Sequence, residues 1–354
     1  MIREAIENLV CGRNLSYREA FESMKEIMSG EATPSQIAAF LTALRMKGET
    51  VEEIMAFATV MKSFCHKISP RVSGRLVDTC GTGGDRIKTF NVSTAAAFVV
   101  AGAGVPVAKH GNRSVTSRSG SADVLEHLGL NLNVPPETVE KAIEQVSVGF
   151  MFAPMFHPAM KHAASTRREM GIRTVFNILG PLTNPAMANA QVIGVYDAGL
   201  VEKIAHVLKG LGLQEAMVVH GLDGLDEIST VGETLIAWLR EGEINTFKVT
   251  PKRLGVKKAD IEHIVGTSPE ESAETTFKIL YGCLKAGDPK RDLVAVNAAA
   301  GIIVGGMAED FNYALELAQE SIDSGAAYNK LEELIKFYDK SRINKLEELK
   351  RRYG

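Results

Sequence analysis

VDTCGTGGDRIKTFNVST, residues 77–94, is the stretch from which both the fold and a ligand site can be inferred. An apolar run over residues 75–80 leads directly into Gly81-Thr82-Gly83-Gly84-Asp85, and a helix-like run begins near Ser93. The glycines permit backbone conformations closed to other residues and leave the peptide N–H groups accessible. A helix N-terminus behind the turn adds its dipole and its own unpaired N–H groups. A strand, a glycine-rich turn and a hydroxyl-rich helix start therefore predict a phosphate-binding cradle.

This turn matches neither common phosphate-binding fingerprint. The dinucleotide pattern needs a glycine at its sixth position, where Arg86 stands, and the Gly-Lys-Ser/Thr ending of a P-loop is absent. A plain strand-to-helix turn is the alternative, because glycine-rich turns are common in α/β proteins. A second donor-rich segment downstream favours the ligand-binding interpretation.

The composition is that of an ordinary soluble globular protein. The chain has 354 residues, 45% of them hydrophobic and 23% charged, with a net charge of −3. This balance does not indicate a nucleic-acid surface, and the longest apolar run, residues 95–107, is too short to span a bilayer. We therefore expect neither nucleic acid nor membrane as a partner. Four cysteines without ligand spacing predict reduced thiols and a cytoplasmic location; they are Cys11, Cys65, Cys80 and Cys283.

The pattern along the chain predicts an α/β fold in two parts. Residues 1–72 look helical, with capping boxes at 33–36 and 50–53 ahead of amphipathic stretches. These stretches must pack on each other, on the rest of the chain or on a second subunit, so dimerisation is a hypothesis here. From residue 73 to 354, apolar strand-like runs alternate with helical ones, which predicts a mainly parallel sheet covered by helices. The mixed-charge tail, 328–354, predicts a solvated pair of helices.

A second polar segment follows the predicted strand 105–108. It reads Lys109-His110-Gly111-Asn112-Arg113-Ser114-Val115-Thr116-Ser117 and is followed by a helix start at Ser121. Nearly every side chain can donate a hydrogen bond, which suits several phosphate oxygens better than an ordinary surface loop. Ligands of parallel sheets bind at the carboxyl ends of the strands. Two such segments at two strand ends predict one ligand with phosphates at both ends.

Asp226 and Glu227 lie just beyond the predicted strand 216–220. Two adjacent carboxylates at a strand end can hold Mg²⁺, which prefers oxygen ligands, and the ion could stabilise a diphosphate leaving group. The alternative is an acidic loop that caps the next helix. The residues leave both possibilities open.

A third patch runs from His157 to Arg168, where a helix over residues 158–170 would project an arginine near its end. The arginine fork suits planar carboxylate recognition. His157 and His162 could act as bases, although such histidines more often pack or cap.

Five motifs, in the same order over nearly the whole chain, carry a family resemblance. They are DTCGTGGD, FNVST, KHGNRSVTSRSGSADVLEHLG, HPAMKHAASTRREMGIRTVFNILGPLTNP and HGLDGLDEIS. Together they resemble the anthranilate phosphoribosyltransferase family, and KHGNRS is shared in part with the related pyrimidine nucleoside phosphorylases. The resemblance implies a small N-terminal helical domain that forms a homodimer and a larger α/β domain. The segment near 165–190 is expected to pack with the helical domain.

The resemblance also implies ligands and site residues. The ligands are 5-phosphoribosyl 1-diphosphate (PRPP), anthranilate and Mg²⁺, expected as two ions. Positions matching the PRPP site are Gly81, Gly84, Asp85, Thr89, Asn91, Val92, Ser93, Thr94, Lys109, His110, Gly111, Asn112, Arg113, Ser114, Val115, Thr116, Ser117 and Ser121. Positions matching anthranilate contacts are Gly81, Asn112, Arg167 and Pro181, and those matching Mg²⁺ ligands are Ser93, Asp226 and Glu227.

The implied reaction transfers the 5-phosphoribosyl group of PRPP to the amine of anthranilate, the second step of tryptophan biosynthesis from chorismate. An aromatic amine is an adequate nucleophile, so no residue is assigned as an essential acid or base. A pyrimidine nucleoside phosphorylase is one alternative, against which the acidic pair and the Arg167 patch argue. A non-catalytic anion-binding or nucleic-acid-binding relative is another, but it should have lost these motifs and gained positive charge.

Overall fold

A computed structural model of the chain describes residues 1–84, 87–114, 119–266 and 268–354. The chain begins with four helices whose starts are fixed by their own side chains. Reciprocal capping boxes open three of them, at Ser16 with Glu19, Thr33 with Gln36 and Thr50 with Glu53. The helices are α1 Ile2–Val10, α2 Tyr17–Ser29, α3 Pro34–Lys47 and α4 Val51–Ser63.

The described strands form one sheet in the order β3-β2-β1-β4-β5-β6-β7. The first five are parallel, while β6 and β7 form an antiparallel hairpin at one edge. The strands are β1 Val77–Gly81, β2 Val107–Gly111, β3 Val148–Phe152, β4 Ala190–Gly194, β5 Glu215–Gly221, β6 Thr234–Arg240 and β7 Glu243–Val249.

Helices connect and cover these strands, which confirms the predicted fold class. They are α5 Val92–Gly102, α6 Ser121–His127, α7 Pro136–Val146, α8 Ala153–Phe156, α9 Lys161–Met170, α10 Phe176–Leu179, α11 Gly199–Gly210, α12 Pro269–Leu280, α13 Pro289–Val304, α14 Phe311–Asp323, α15 Ala326–Asp339 and α16 Asn344–Tyr353. Short 3-10 turns lie at Pro158–Met160, Ile261–His263 and Lys340–Ile343. The helix expected over 158–170 is thus divided into a 3-10 turn and α9.

The two faces of the sheet bury two separate hydrophobic cores. Met217 and Val219 of β5 belong to one core, and the alternating Ala216 and Val218 belong to the other, as the two-residue period of a strand requires. Helices α5 and α13 fill the first core, whereas the N-terminal helices join α9, α10 and α11 in the second. Helix α9 contacts α2 and α3, and α10 contacts α4. The division into domains at residue 72 stays a prediction.

The C-terminal helices are less solvated than the sequence predicts. Tyr328, Leu331, Leu334 and Ile335 of α15 are buried in the first core, because this helix covers the outer edge of the sheet at β3. Tyr338 donates its hydroxyl to the carbonyl of Phe150 (3.1 Å) and accepts the N–H of the same residue (3.0 Å). The expectation of a solvated pair is therefore wrong for α15. The apolar side chains of α15 are interspersed with charged residues, so the composition of the tail does not reveal its buried face.

In the part of the chain that the structure describes, no helix combines the length and the apolar character that crossing a membrane requires.

Candidate functional site

A cavity of about 320 Å³ opens at the carboxyl ends of the parallel strands. It gathers most of the residues predicted from the sequence, although they come from distant parts of the chain. The predicted residues that line it are Gly81, Thr89, Asn91, Val92, Ser93, Thr94, Lys109, His110, Gly111, Asn112, Arg113, Ser114, Ser121, Asp226 and Glu227. Four predicted positions, Asp85, Val115, Thr116 and Ser117, lie outside the described residues.

The glycine turn after β1 is held close to the acidic pair. Gly83 donates its N–H to Oδ2 of Asp226 at 2.9 Å, and Thr82 donates its N–H to the carbonyl of Gly194 at 2.9 Å. A Cβ at Gly81 would lie only 2.6 Å from the same carboxylate oxygen. Gly84 has a φ of +83°, which favours glycine. The N–H groups of Thr82 and Gly83 are thus bonded within the chain, not accessible as expected, and that of Gly83 meets a carboxylate of a residue that lines the cavity.

Lys109 is buried beneath the site instead of extending from a loop. It lies in β2, because the strand pairs with β3 through Gly111, beyond the predicted end at residue 108. Its ammonium donates to the carbonyl of Thr79 at 2.5 Å and to Oγ of Ser93 at 3.3 Å. Burial lowers the pKa of Lys109, and nearby Asp78 opposes that shift. The lysine thus joins the end of β1 to the first turn of α5.

Arg113 is engaged by carboxylates. Its guanidinium pairs with Asp123 (2.9 Å) and Glu126 (2.8 Å), and these hydrogen bonds raise its pKa. Asp123 also accepts the N–H groups of Ser114 and Gly120, so one carboxylate holds both ends of the segment between β2 and α6. The predicted contact of Arg113 with phosphate is not among these bonds and stays a prediction.

Asp226 and Glu227 are 8% and 9% exposed. The next element after them is β6, so the interpretation that they cap a helix is wrong. Together with the Ser93 hydroxyl they place hard oxygen donors around one cavity. Among the described residues, no three or more His, Cys, Asp and Glu side chains form a metal-binding group. The oxygen set fits Mg²⁺, which proteins hold through one or two carboxylates together with substrate oxygens and water.

Arg167, near the end of α9, packs its guanidinium over the ring of Phe176, 4.8 Å from the centroid. Phe176 and the adjacent Asn177 line the cavity from its other side. Burial lowers the pKa of Arg167. Within the described ranges no carboxylate pairs with this arginine. An arginine on an aromatic wall, without an internal counter-ion in that part of the chain, is suited to bind an external carboxylate.

Two buried histidines lie side by side, and one of them, His110, lines the cavity. The rings of His110 and His157 are 5.0 Å apart and inclined by 47°. Burial lowers the pKa of His110 to about 3 and that of His157 to about 4, so both imidazoles are neutral at pH 7. They can line a site or accept a hydrogen bond, but they cannot supply positive charge. His162 instead packs against Gly30, away from the cavity.

Pro181 does not line the cavity, but its loop is fixed to the sheet behind it. The buried Gln191 donates its side-chain amide to the carbonyl of Pro181 at 2.7 Å. Asn184, in the same loop, donates to the carbonyl of Ala108 at 2.8 Å. Neither amide is among the site residues predicted from the sequence. Both amides lie within apolar sequence, where a buried polar side chain needs a hydrogen-bond partner, and this pattern could have indicated them.

Comparison with known proteins gives two family matches that divide the chain. Residues 3–65 match the helical bundle domain of a glycosyl transferase family, and residues 73–328 match the a/b domain of the same family. The anthranilate phosphoribosyltransferase of Pelotomaculum thermopropionicum is 53% identical, with 95% of this chain and 96% of that protein covered. The corresponding protein of Acetivibrio thermocellus is 50% identical, with the same shares covered.

Solved structures give the same result. The crystal structure of anthranilate phosphoribosyltransferase from Thermus thermophilus aligns with a TM-score of 0.89 at 42% identity, covering 94% of this chain and 99% of that one. The Saccharomyces cerevisiae enzyme in complex with PRPP and Mg aligns with a TM-score of 0.87 at 29% identity, covering 96% and 98%.

Proposed function

The chain belongs to the anthranilate phosphoribosyltransferase family, and on this premise we propose that it transfers the 5-phosphoribosyl group of PRPP to the amine of anthranilate. The products are N-(5-phosphoribosyl)anthranilate and diphosphate, and the reaction is the second step of tryptophan biosynthesis from chorismate. One observation carries the proposal. A single cavity joins the glycine turn, the acidic pair and Phe176, whose ring is covered by the guanidinium of Arg167.

The glycine turn is the proposed site of the diphosphate. Backbone amides beside the N-terminus of α5 suit an anion, and the predicted PRPP residues surround the same space. Lys109 supports this site from below, because it fixes Ser93 and the end of β1. The donor-rich segment after β2 is proposed to hold the 5-phosphate end of the substrate.

Anthranilate is proposed to lie on the Phe176 side of the cavity. Its carboxylate would meet Arg167, whose planar fork matches a carboxylate. Asn112 and Gly81 line the same cavity and are proposed to contact anthranilate as well. Pro181, which is held by Gln191, belongs to the loop behind it.

Ser93, Asp226 and Glu227 are proposed to hold Mg²⁺. Two ions are proposed, as the family resemblance implies. Bound there, Mg²⁺ supplies charge neutralisation for a diphosphate leaving group. The yeast relative was solved with Mg and PRPP. The oxygen donors of this chain are the kind of ligand that such an ion requires.

In the proposed reaction, the amine nitrogen forms a bond to C1 of the ribose while the bond from C1 to the diphosphate oxygen breaks. The diphosphate leaves with the bonding electron pair, and the nitrogen releases a proton to solvent or to a neutral acceptor. The glycine turn, residues 81–84, is proposed to stabilise the negative charge that develops on the leaving oxygen. Arg167 contributes by aligning the amine with C1. His110 is neutral and lines the cavity, so it is a polar wall or proton relay and not an essential base.

A homodimer through the N-terminal helices is proposed as the functional assembly. Val10 is 72% exposed and Met46 is 85% exposed, and both lie on this helical part. These two apolar side chains are proposed to contact the second subunit. A cytoplasmic location is proposed as well, since the cysteines Cys11, Cys65, Cys80 and Cys283 are all free thiols.

A fluorescence assay of anthranilate consumption tests the proposed function. We expect loss of anthranilate fluorescence only when PRPP and Mg²⁺ are both present, and no loss after EDTA is added in excess of the metal. Thymidine phosphorolysis is measured in parallel, because a nucleoside phosphorylase would release the base with inorganic phosphate alone. Release of thymine without turnover of anthranilate would replace this proposal with the phosphorylase alternative.

A further inference from the structure

Arg173 joins two parts of the site that the chain supplies separately. Its Nη2 donates to the carbonyl of Gly84, in the glycine turn, at 2.5 Å. Its guanidinium also lies over the ring of Tyr196, with Cζ 4.7 Å from the centroid. The arginine itself belongs to the short connection between α9 and α10. One side chain therefore extends from the proposed anthranilate side to the proposed diphosphate side.

The turn is shaped to receive this side chain. A Cβ at Gly84 would lie 2.6 Å from Cζ of Arg173, so a side chain at position 84 would displace the guanidinium. The aromatic platform is attached to the same turn, because Tyr196 donates its N–H to Oγ1 of Thr82 at 3.1 Å. The guanidinium thus contacts the Gly84 carbonyl and the ring of Tyr196, a residue whose backbone N–H is hydrogen-bonded to the same turn.

The other end of the connection is equally constrained. Gly171 ends α9 in the left-handed region, and its N–H donates to the carbonyl of Arg167. Thr174 donates its N–H to Oδ1 of Asn177 at 3.0 Å, and Asn177 returns its N–H to the carbonyl of Thr174 at 2.9 Å. Arg173 follows Arg167 closely in the sequence. Because Arg173 lies in this connection and binds the Gly84 carbonyl, a movement of the connection displaces both this carbonyl and the nearby pair of Arg167 and Phe176.

We propose that Arg173 is a positioning residue that couples the two substrate subsites, so that PRPP bound at the glycine turn tightens carboxylate binding at Arg167. The proposal rests on the proposed function. The coupling acts through the contact between the guanidinium and Gly84, which an ordered diphosphate turn stabilises. Because coupling between two binding equilibria is reciprocal, a carboxylate ligand must also tighten PRPP binding by the same factor.

Benzoate is the probe, because it carries the carboxylate and ring of anthranilate but has no amine and cannot react. Calorimetric titration of benzoate is carried out with the full-length protein in Mg²⁺, with and without saturating PRPP. For the unaltered protein we expect PRPP to tighten benzoate binding by about fivefold or more. Arg173→Met should bring this ratio below about twofold, whereas Arg168→Met, which changes an exposed arginine of α9, should keep the full ratio.

Two further variants keep the test decisive if Arg173→Met folds poorly. Tyr196→Leu removes the platform and should lower the ratio as well, and Arg173→Lys should restore less than half of it, because an ammonium lacks the planar fork. Thermal unfolding of each variant reports its folding. A full ratio in folded Arg173→Met, or no effect of PRPP on benzoate binding in the unaltered protein, would overturn the coupling. Failure of the proposed function is distinct, since it appears as absent anthranilate turnover in the unaltered protein.

Discussion

At the scale of single residues, Arg167 carries the strongest functional expectation. Its guanidinium is partly buried on Phe176 and has no carboxylate partner within the described residues. Arg167→Ala should raise the KM for anthranilate by roughly 10- to 100-fold, because a charge-assisted hydrogen bond contributes about 1.5 to 3 kcal/mol. The KM for PRPP should change far less, and the exposed neighbour Arg168→Ala serves as control. An equal rise in both KM values would refute the assignment of Arg167 to anthranilate.

The buried His157 makes part of the protein's stability depend on pH. The folded protein holds the pKa of His157 at about 4, chiefly by burial, whereas an unfolded histidine titrates near 6.5. The unfolded chain therefore binds the proton first, and the stabilisation that is present above pH 6.5 is lost as the pH falls towards 4. Between pH 7 and pH 5 this histidine alone should lower the free energy of unfolding by roughly 2 kcal/mol.

Denaturant titrations at pH 5 and pH 7 measure this effect. His157→Asn should show a pH dependence smaller by that amount, while His206→Asn, at an exposed position of α11, should keep the original dependence. An unchanged dependence in His157→Asn would contradict the burial of a neutral imidazole.

The sequence predicts which residues have suitable chemistry for the site, but it does not predict their burial or their hydrogen-bond partners. The glycine turn and the acidic pair were recognisable, because their chemistry is local and their spacing unusual. The sequence places Lys109 in the phosphate-binding segment after the strand, whereas the structure buries it within β2, because pairing with β3 extends this strand. Arg173 was missed, because its partner, Gly84, is 89 positions away in the sequence.

At the scale of elements, Tyr338 shows how a helix protects the edge of the sheet. β3 ends the sheet, and the hydroxyl of Tyr338 satisfies both the N–H and the carbonyl of Phe150 on that edge. Tyr338→Phe leaves two buried backbone groups unpaired, so we expect a loss of roughly 2 to 4 kcal/mol in the free energy of unfolding. Urea titration measures it. The exposed Tyr313→Phe is the control, and a loss as small as that of the control would contradict this role.

Local signals predicted elements well where they were self-contained. Capping boxes at Thr33 and Thr50 marked helix starts correctly, and the alternation of apolar runs revealed the parallel sheet. Strand ends were displaced by a few residues, because pairing partners decide them. The tail was misjudged, since the apolar stripe of α15 is diluted by exposed charges and becomes visible only against β3.

At the scale of the whole molecule, the sheet separates two cores and brings distant segments to one edge. The N-terminal helices share their core with α9, α10 and α11, so the arginine segment is supported from the helical side. The glycine turn and the acidic pair are supported by the sheet. The proposed substrates therefore bind between the arginine segment and the carboxyl ends of the strands. The chemistry of the strand ends and the family resemblance both indicate this location, but no single sequence pattern predicts it.

A crystal structure of the protein with PRPP and Mg²⁺ tests the central claim most directly. We expect the diphosphate against the glycine turn, residues 81–84, with metal density between it and the carboxylates of Asp226 and Glu227. Electron density for the sugar diphosphate at a site remote from this turn would contradict the account.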